Sequence, residues 1–178
     1  MKLKTCKVCK NKFEPLRPLQ MVCTPGCAYE YQKNQKLKTW KKEKSDKKKS
    51  LMTLQEWIKI AQATFNTYTR FVDKSLNNPC ISCRKPLGTK YDAGHFYNAN
   101  NHWNLRFDER NVHSQCVYCN QHLHGNLLEY RKQLEFYYGS TWLAELEKDA
   151  NITRKFTIEE VKEINETYKN KIKSLQNK

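Results

Sequence analysis

Eight cysteines fall into four close pairs, and their spacing limits the folds open to this chain more than any other feature. Cys6 with Cys9, Cys80 with Cys83 and Cys116 with Cys119 are C-x2-C pairs; Cys23 with Cys27 is C-x3-C. Such pairs sit on turns and aim both sulfurs at one tetrahedral ion. The opening MKLKTCKVCK has no apolar segment after its charges, so no secretory signal is expected and the compartment is read as a reducing cytoplasm. Two four-thiolate zinc sites then use every cysteine: Cys6, Cys9, Cys23 and Cys27 in the first, Cys80, Cys83, Cys116 and Cys119 in the second. The alternative is a redox-active or free-thiol set. A staple suits the composition, since apolar residues make up only 38% of the 178 positions.

The formal net charge is +15, and two zinc ions on eight thiolates would leave about +11. That excess points to a polyanion, most simply nucleic acid. No apolar run approaches the roughly 18 residues of a membrane span. The lysines concentrate in KNQKLKTWKKEKSDKKK, where Lys36, Lys38, Lys41 and Lys42 are candidate phosphate contacts and Trp40 a candidate stacking residue. This segment has no repeating apolar face and reads as an exposed helix or a mobile arm. A solubilising linker is the alternative.

Five parts follow. Residues 1–32 form a zinc knuckle, with TPGC read as a turn; 33–50 form the lysine-rich linker. Residues 51–78 hold an amphipathic helix, opened by the Thr53/Glu56 capping-box pattern and carrying Leu54, Trp57, Ile58, Ala61, Phe65, Tyr68 and Val72 at helical spacing. Residues 79–138 hold the second quartet, and KYDAGHF with LRF at 105–107 reads as a β-hairpin. A helix follows Cys119, with a break or kink expected at Gly125. Residues 139–178 are expected to be helical; Thr157/Glu160 is a second capping box, and Ile158, Val161, Ile164, Tyr168, Ile172 and Leu175 make one stripe, either packed on the core or forming a dimer seam.

Thirty-two residues separate Cys83 from Cys116, more than a structural zinc site needs. On a regular strand Asp92 and Gly94 share one face and His95 takes the other unless a bulge intervenes. Asn120 directly follows Cys119, and His124 lies on the same helix face if that helix is regular. His95, Asn120 and His124 could surround a divalent cation and a phosphate, with a neutral imidazole deprotonating water, a metal stabilising the phosphoryl charge and cationic side chains holding the backbone. Arg84, Arg106, Arg110 and Lys85 are candidate phosphate contacts, with a solvated face as the alternative.

The run C-I-S-C, D-A-G-H, R-N-V-H-S-Q-C-V-Y-C-N resembles the HNH, or His-Me finger, endonucleases. With CKVC, the lysine-rich segment, CNQH, GN and the terminal TIEE helix, the resemblance extends over nearly the whole chain to the phage NinG (Rap) recombination proteins. It implies a small zinc-stapled α+β protein: N-terminal knuckle, basic helical linker, ββα-metal finger with a structural four-Cys site, and helical C-terminal region. It implies a Mg2+- or Mn2+-dependent endonuclease acting on branched double-stranded DNA, such as Holliday junctions and D-loops, in the host cell cytoplasm. His95 is then the general base, Asn120 a ligand of the catalytic metal, and Asn111 the central Asn that holds the loop and positions the base. Many HNH sites place Asp immediately before the base. Here Gly94 stands there, which leaves Asp92, if the strand is bulged, or His124 as the further ligand. Paired nicking of a junction implies a homodimer, with phage or host recombination proteins as further partners. A zinc-stabilised DNA-binding adaptor and an HNH nuclease without branch preference are the competing readings.

Overall fold

The computed structural model describes residues 2–177, which divide into an N-terminal unit up to Met52 and a C-terminal unit from Thr53. The fold is mixed, with five helices and two small antiparallel sheets among the described residues.

In the first unit, β1 (Lys4–Thr5) pairs with β2 (Lys12–Phe13). Helix α1 runs from Pro25 to Ser50. TPGC, expected as a turn, is the start of this helix. Thr24 is the N-cap, its hydroxyl accepting from the Cys27 amide, and Pro25 fills the first turn, where no N–H is needed. The lysine-rich segment is the body of the same helix, about 39 Å long at ~1.5 Å per residue. Helix α1 buries no residue; Cys6 and Pro15 are the only buried residues described in this unit.

In the second unit, α2 (Leu54–Ser75) begins at the Thr53/Glu56 capping box and buries Ile58, Ala61 and Phe65 along one face. Strand β3 (Tyr91–His95) pairs with β4 (Val112–Cys116). The expected partner, 105–107, is not a strand. Trp103–Leu105 is a 3-10 turn, and Leu105 and Phe107 enter different apolar clusters rather than sharing a strand face. The loop between β3 and β4 closes on Asn111, which is fully buried. Its Nδ2 donates to the carbonyls of Tyr97 and Leu105, and its Oδ1 accepts from the Tyr97 amide at 2.7 Å.

A π-helical turn, Tyr118–His122, follows β4. His124, Gly125 and Asn126 are then left-handed in succession, which sets the expected break before α3 (Leu127–Tyr138). Helices α4 (Ser140–Ala150) and α5 (Ile158–Gln176) complete the chain. Helix α5 packs along α2. Val161 and Tyr168 join Phe65, Ala93, Phe107 and Val112 in the main core, and the Phe65 and Tyr168 rings sit 4.7 Å apart, edge to face. The stripe's first half is therefore used inside the chain. Tyr130 and Leu134 of α3 pack with Leu143 of α4 and Ile81, and the Tyr130 hydroxyl donates to the Gly94 carbonyl from the other side of the hairpin. Among the described residues no helix is long and apolar enough to cross a membrane.

Candidate functional site

Each cysteine quartet converges, with its four sulfurs all within 4.8 Å of one another, and none of the eight is in a disulfide. Cys9 and Cys23 are 3.5 Å apart, Cys23 and Cys27 3.7 Å, Cys83 and Cys116 3.8 Å. A tetrahedral ion bound at about 2.3 Å by sulfur needs edges of about 3.8 Å, so both quartets fit zinc. Backbone amides favour the thiolate at one cysteine of each quartet, whereas the Cys9 side chain pushes Cys23, and burial pushes Cys119, up to about 12. Burial pushes the Cys80 thiol up, but amides of Cys83, Cys116 and Ser82 outweigh it and hold the thiol below its ordinary value. At Cys6 burial likewise pushes up, and amides of Val8, Cys9 and Cys23 bring it down to about 6.

The register Asp92↔Gln115, Gly94↔His113 and His95↔Val112 runs without a bulge. Alternation therefore holds, and His95 lies on the face that carries Ala93 and Val112, towards α2. Its Nε2 is 3.2 Å from the Arg106 carbonyl oxygen, and Gln62 Nε2 is 3.4 Å from the same nitrogen. A carbonyl only accepts, so the shorter contact, to Arg106, puts the proton on Nε2 and leaves Nδ1 its lone pair; Gln62 Nε2, itself a donor, is then a neighbour of that nitrogen and not its hydrogen-bond partner. Burial pushes the imidazole below its ordinary value. The bond to the Arg106 carbonyl opposes this, and the Arg106 charge reinforces it. The ring is held neutral, in one tautomer.

Asp92 is on the opposite face. Its Oδ2 accepts from Asn120 Nδ2 at 2.9 Å and from Gln121 Nε2 at 2.8 Å. Asp92 and Asn120 are thus brought together, while His95 is directed away from them. Gly94 shares the Asp92 face, and a Cβ there would come 1.9 Å from Gln115 Oε1. Gln115 is fully buried and donates through Nε2 to Ser82 Oγ at 2.6 Å and to the Gly125 carbonyl at 2.7 Å. With Gln115 in that place there is no room for a carboxylate side chain immediately before His95.

His124 is exposed and left-handed, and the π-helical turn removes the regular i, i+4 spacing that would align it with Asn120. Among the described residues, His, Cys, Asp and Glu converge in threes or more only at the cysteine quartets. His113 is spent on the hydroxyls of Tyr130 at 3.0 Å and Tyr138 at 3.3 Å. Burial lowers its proton affinity, and Asp73 opposes this. His102 meets the Ala150 carbonyl at 2.8 Å, and His122 lies beside Tyr118.

The expected phosphate contacts divide sharply. Lys36, Lys38, Lys41 and Lys42 are exposed on α1. Arg84 is exposed and sits over the Tyr137 ring. Arg110 is held by Asp108 and Asp149, both at 2.7 Å, so its charge is already neutralised within the fold. Arg106 is buried. Sequence reasoning missed Gln62 and Gln121. Gln121 adjoins Asn120 and could have been suspected, whereas Gln62 is one polar position of a helix and carries no local signal.

Two cysteine quartets that can each hold a zinc ion, a short hairpin and a set of helices define a small, basic protein of mixed helix and sheet. The family model described as Bacteriophage Lambda NinG protein matches residues 1–178, and the chain belongs to the NinG family. It is 35% identical to protein ninG of Escherichia phage lambda over 189 residues, covering 95% of this chain and 90% of that protein. Protein ninG of Escherichia phage 933W is 35% identical over 192 residues, at 97% and 93% coverage, and that of Salmonella phage P22 is 35% identical over 188 residues, at 94% and 90%. No solved structure matches the chain.

Proposed function

We propose that this protein is a metal-dependent DNA endonuclease of the HNH type that cuts branched recombination intermediates such as Holliday junctions and D-loops. In this reading β3, β4 and the helical segment after Cys119 are a ββα finger, with the second quartet as its structural zinc site. The observation that carries the proposal is the His95 tautomer: the Arg106 carbonyl fixes the proton on Nε2, which leaves Nδ1 as a neutral base. His95 takes a proton from water as the new P–O bond forms. The bond to the 3′-oxygen breaks, that oxygen takes a proton from solvent, and a 5′-phosphate remains. Asp92 and Asn120 would hold the Mg2+ or Mn2+ ion, which when bound supplies positive charge to the phosphoryl group and leaving oxygen. Asp92 is preferred to His124 as the second ligand because it already meets Asn120. An Asp immediately before the base has the same strand parity relative to it as Asp92, displaced here by one pleat.

The lysines of α1 serve as phosphate contacts, sequence-independent and salt-sensitive. A two-fold dimer rests on the symmetry of a four-way junction; of the α5 stripe, Val161, Ile164 and Tyr168 are taken up by the main core, and only Ile158, Ile172 and Leu175 could still add to a seam. Light scattering at micromolar concentration, with and without junction DNA, tests the dimer; a monomeric mass in both removes it.

A second reading, a zinc-stabilised DNA-binding module, is favoured by the opposite faces of His95 and the Asp92–Asn120 pair. One experiment separates the two. Zinc-loaded protein and its His95→Ala variant are given a labelled four-way junction and a matched linear duplex, with Mg2+, Mn2+ or EDTA. Metal-dependent cuts near the branch that vanish in the variant, with binding within a few fold, support the nuclease. Tight junction binding without cuts in either metal supports the module. Equal cutting of both substrates keeps the enzyme and removes branch preference.

A further inference from the structure

Arg106 is the one buried cationic side chain among the described residues, 8% exposed. Its Nη1 donates to Gln62 Oε1 at 3.3 Å and its Nη2 to Asn100 Oδ1 at 2.9 Å, both neutral amides. The Trp103 ring lies 5.3 Å from the guanidinium carbon. Its Nε is buried and has no partner. No described carboxylate pairs with it, although three other arginines of this unit do find one: Arg110 with Asp108 and Asp149, Arg131 with Glu147, Arg154 with Glu160. A buried charge without a counter-ion is costly to keep, and folds retain one where something else supplies the anion. The main-chain carbonyl of this same residue meets His95 Nε2, and Gln62, which accepts from Arg106 Nη1, lies 3.4 Å from that nitrogen, so one side chain separates an unneutralised cation from a neutral base.

We infer that Arg106 is an oxyanion-binding residue of the His95 site, and that its ligand is a non-bridging oxygen pair of the phosphodiester being cut. The identity of that phosphate rests on the nuclease reading; the anion site does not. A guanidinium is always charged and presents its N–H groups in a planar fork that fits two phosphate oxygens. Gln62 and Asn100 hold the fork by oxygen atoms without neutralising it, and Trp103 braces its plane. As water adds to phosphorus, charge builds on those oxygens, and a preset cation in a water-poor site stabilises it. On sequence alone Arg106 was one surface contact among several. Burial makes it the only one whose charge the fold leaves unmet beside the base.

The test uses full-length, zinc-loaded protein. Arginine Nε–H resonances are followed by NMR during titration with inorganic phosphate, with the Arg106 signal assigned by its loss in Arg106→Lys. The expected result is a saturable shift of that signal. An unmoved Arg106 signal overturns the site. Single-turnover cleavage of a junction by Arg106→Gln should fall about 100-fold or more, with junction affinity within about threefold because the α1 lysines still contact the backbone. Melting temperature should hold or rise, since an unpaired buried charge has gone. Cleavage by Arg106→Gln within a few fold of the parent overturns the role, as does a lost melting transition with parallel loss of binding. The two readings fail separately. A parent chain that cuts no junction yet shows the phosphate shift keeps the anion site and removes the nuclease. Cleavage indifferent to Arg106 does the reverse.

Discussion

Asp92 Oδ2 accepts a 2.9 Å hydrogen bond from Asn120 Nδ2, joining the second residue of β3 to the turn that contains Cys119. The pair offers one charged and one neutral oxygen donor, a hard-cation set. Asp92→Asn should weaken Mn2+ binding on the order of 10- to 100-fold while leaving both quartets loaded. Calorimetry with Mn2+ on the zinc-loaded protein checks it. Unchanged affinity would place the cation elsewhere.

Gly94 is required by contact rather than by conformation. Gly94→Ala drives a Cβ to within 1.9 Å of Gln115 Oε1, and Gln115 cannot retreat without losing Ser82 and Gly125. A loss of about 1–3 kcal/mol is expected, read by denaturant unfolding. Gln115→Ala added to Gly94→Ala should recover part of it.

Because His95 is pushed below its ordinary value, chiefly by burial, it stays neutral where an unfolded chain's histidine has begun to protonate. Its contribution to stability is complete above the ordinary value of about 6.5 and is lost as pH falls below it. Cleavage should therefore be level above about 6.5 and decline only at lower pH. A rate profile with its midpoint above 7 would count against His95 as the titrating base.

The N-terminal unit has almost no core, so its fold depends on the first quartet. Metal analysis should find two zinc ions per chain and one in Cys6→Ala. In that variant, amide exchange should rise across residues 2–52, while Phe65, Val112 and Val161 in the main core stay protected.

Exchanging Lys36, Lys38, Lys41 and Lys42 for Gln should flatten the dependence of log K for junction binding on log salt by about 0.9 for each lysine that meets a phosphate. An unaltered slope would make α1 a solubilising element.

Much of this was legible because it is local. Cysteine spacing marks the quartets, Thr-x-x-Glu marks the starts of α2 and α5, and the Phe65 stripe marks the buried face of α2. Strict alternation even gave the opposite faces of Asp92 and His95. What sequence missed depends on distant partners. Strand β3 skips the nearer LRF run to pair with β4, because Asn111 folds the intervening loop onto its own backbone. Arg110 looked like a free cation until Asp149 arrived from α4. Gln115 carries no local signal of its role, which is to occupy the place of a side chain at Gly94. The start of α1 was misread for a different reason: Pro and Gly in TPGC suit a turn and a first helical turn equally well.

Helix α1 has one further property that follows from burying nothing. Beyond its first turns, which Cys27 and Tyr31 tie to the knuckle, no described residue of the helix is buried, so insertion and deletion there disturb no packed core. Each added residue advances the following charges by about 1.5 Å and turns them by about 100°. Four residues return a lysine nearly to its original azimuth about 6 Å further on; two send it to the far side. Reach and phase are therefore separately adjustable, and the segment works as a graduated rule whose divisions evolution can reset without touching the rest of the molecule.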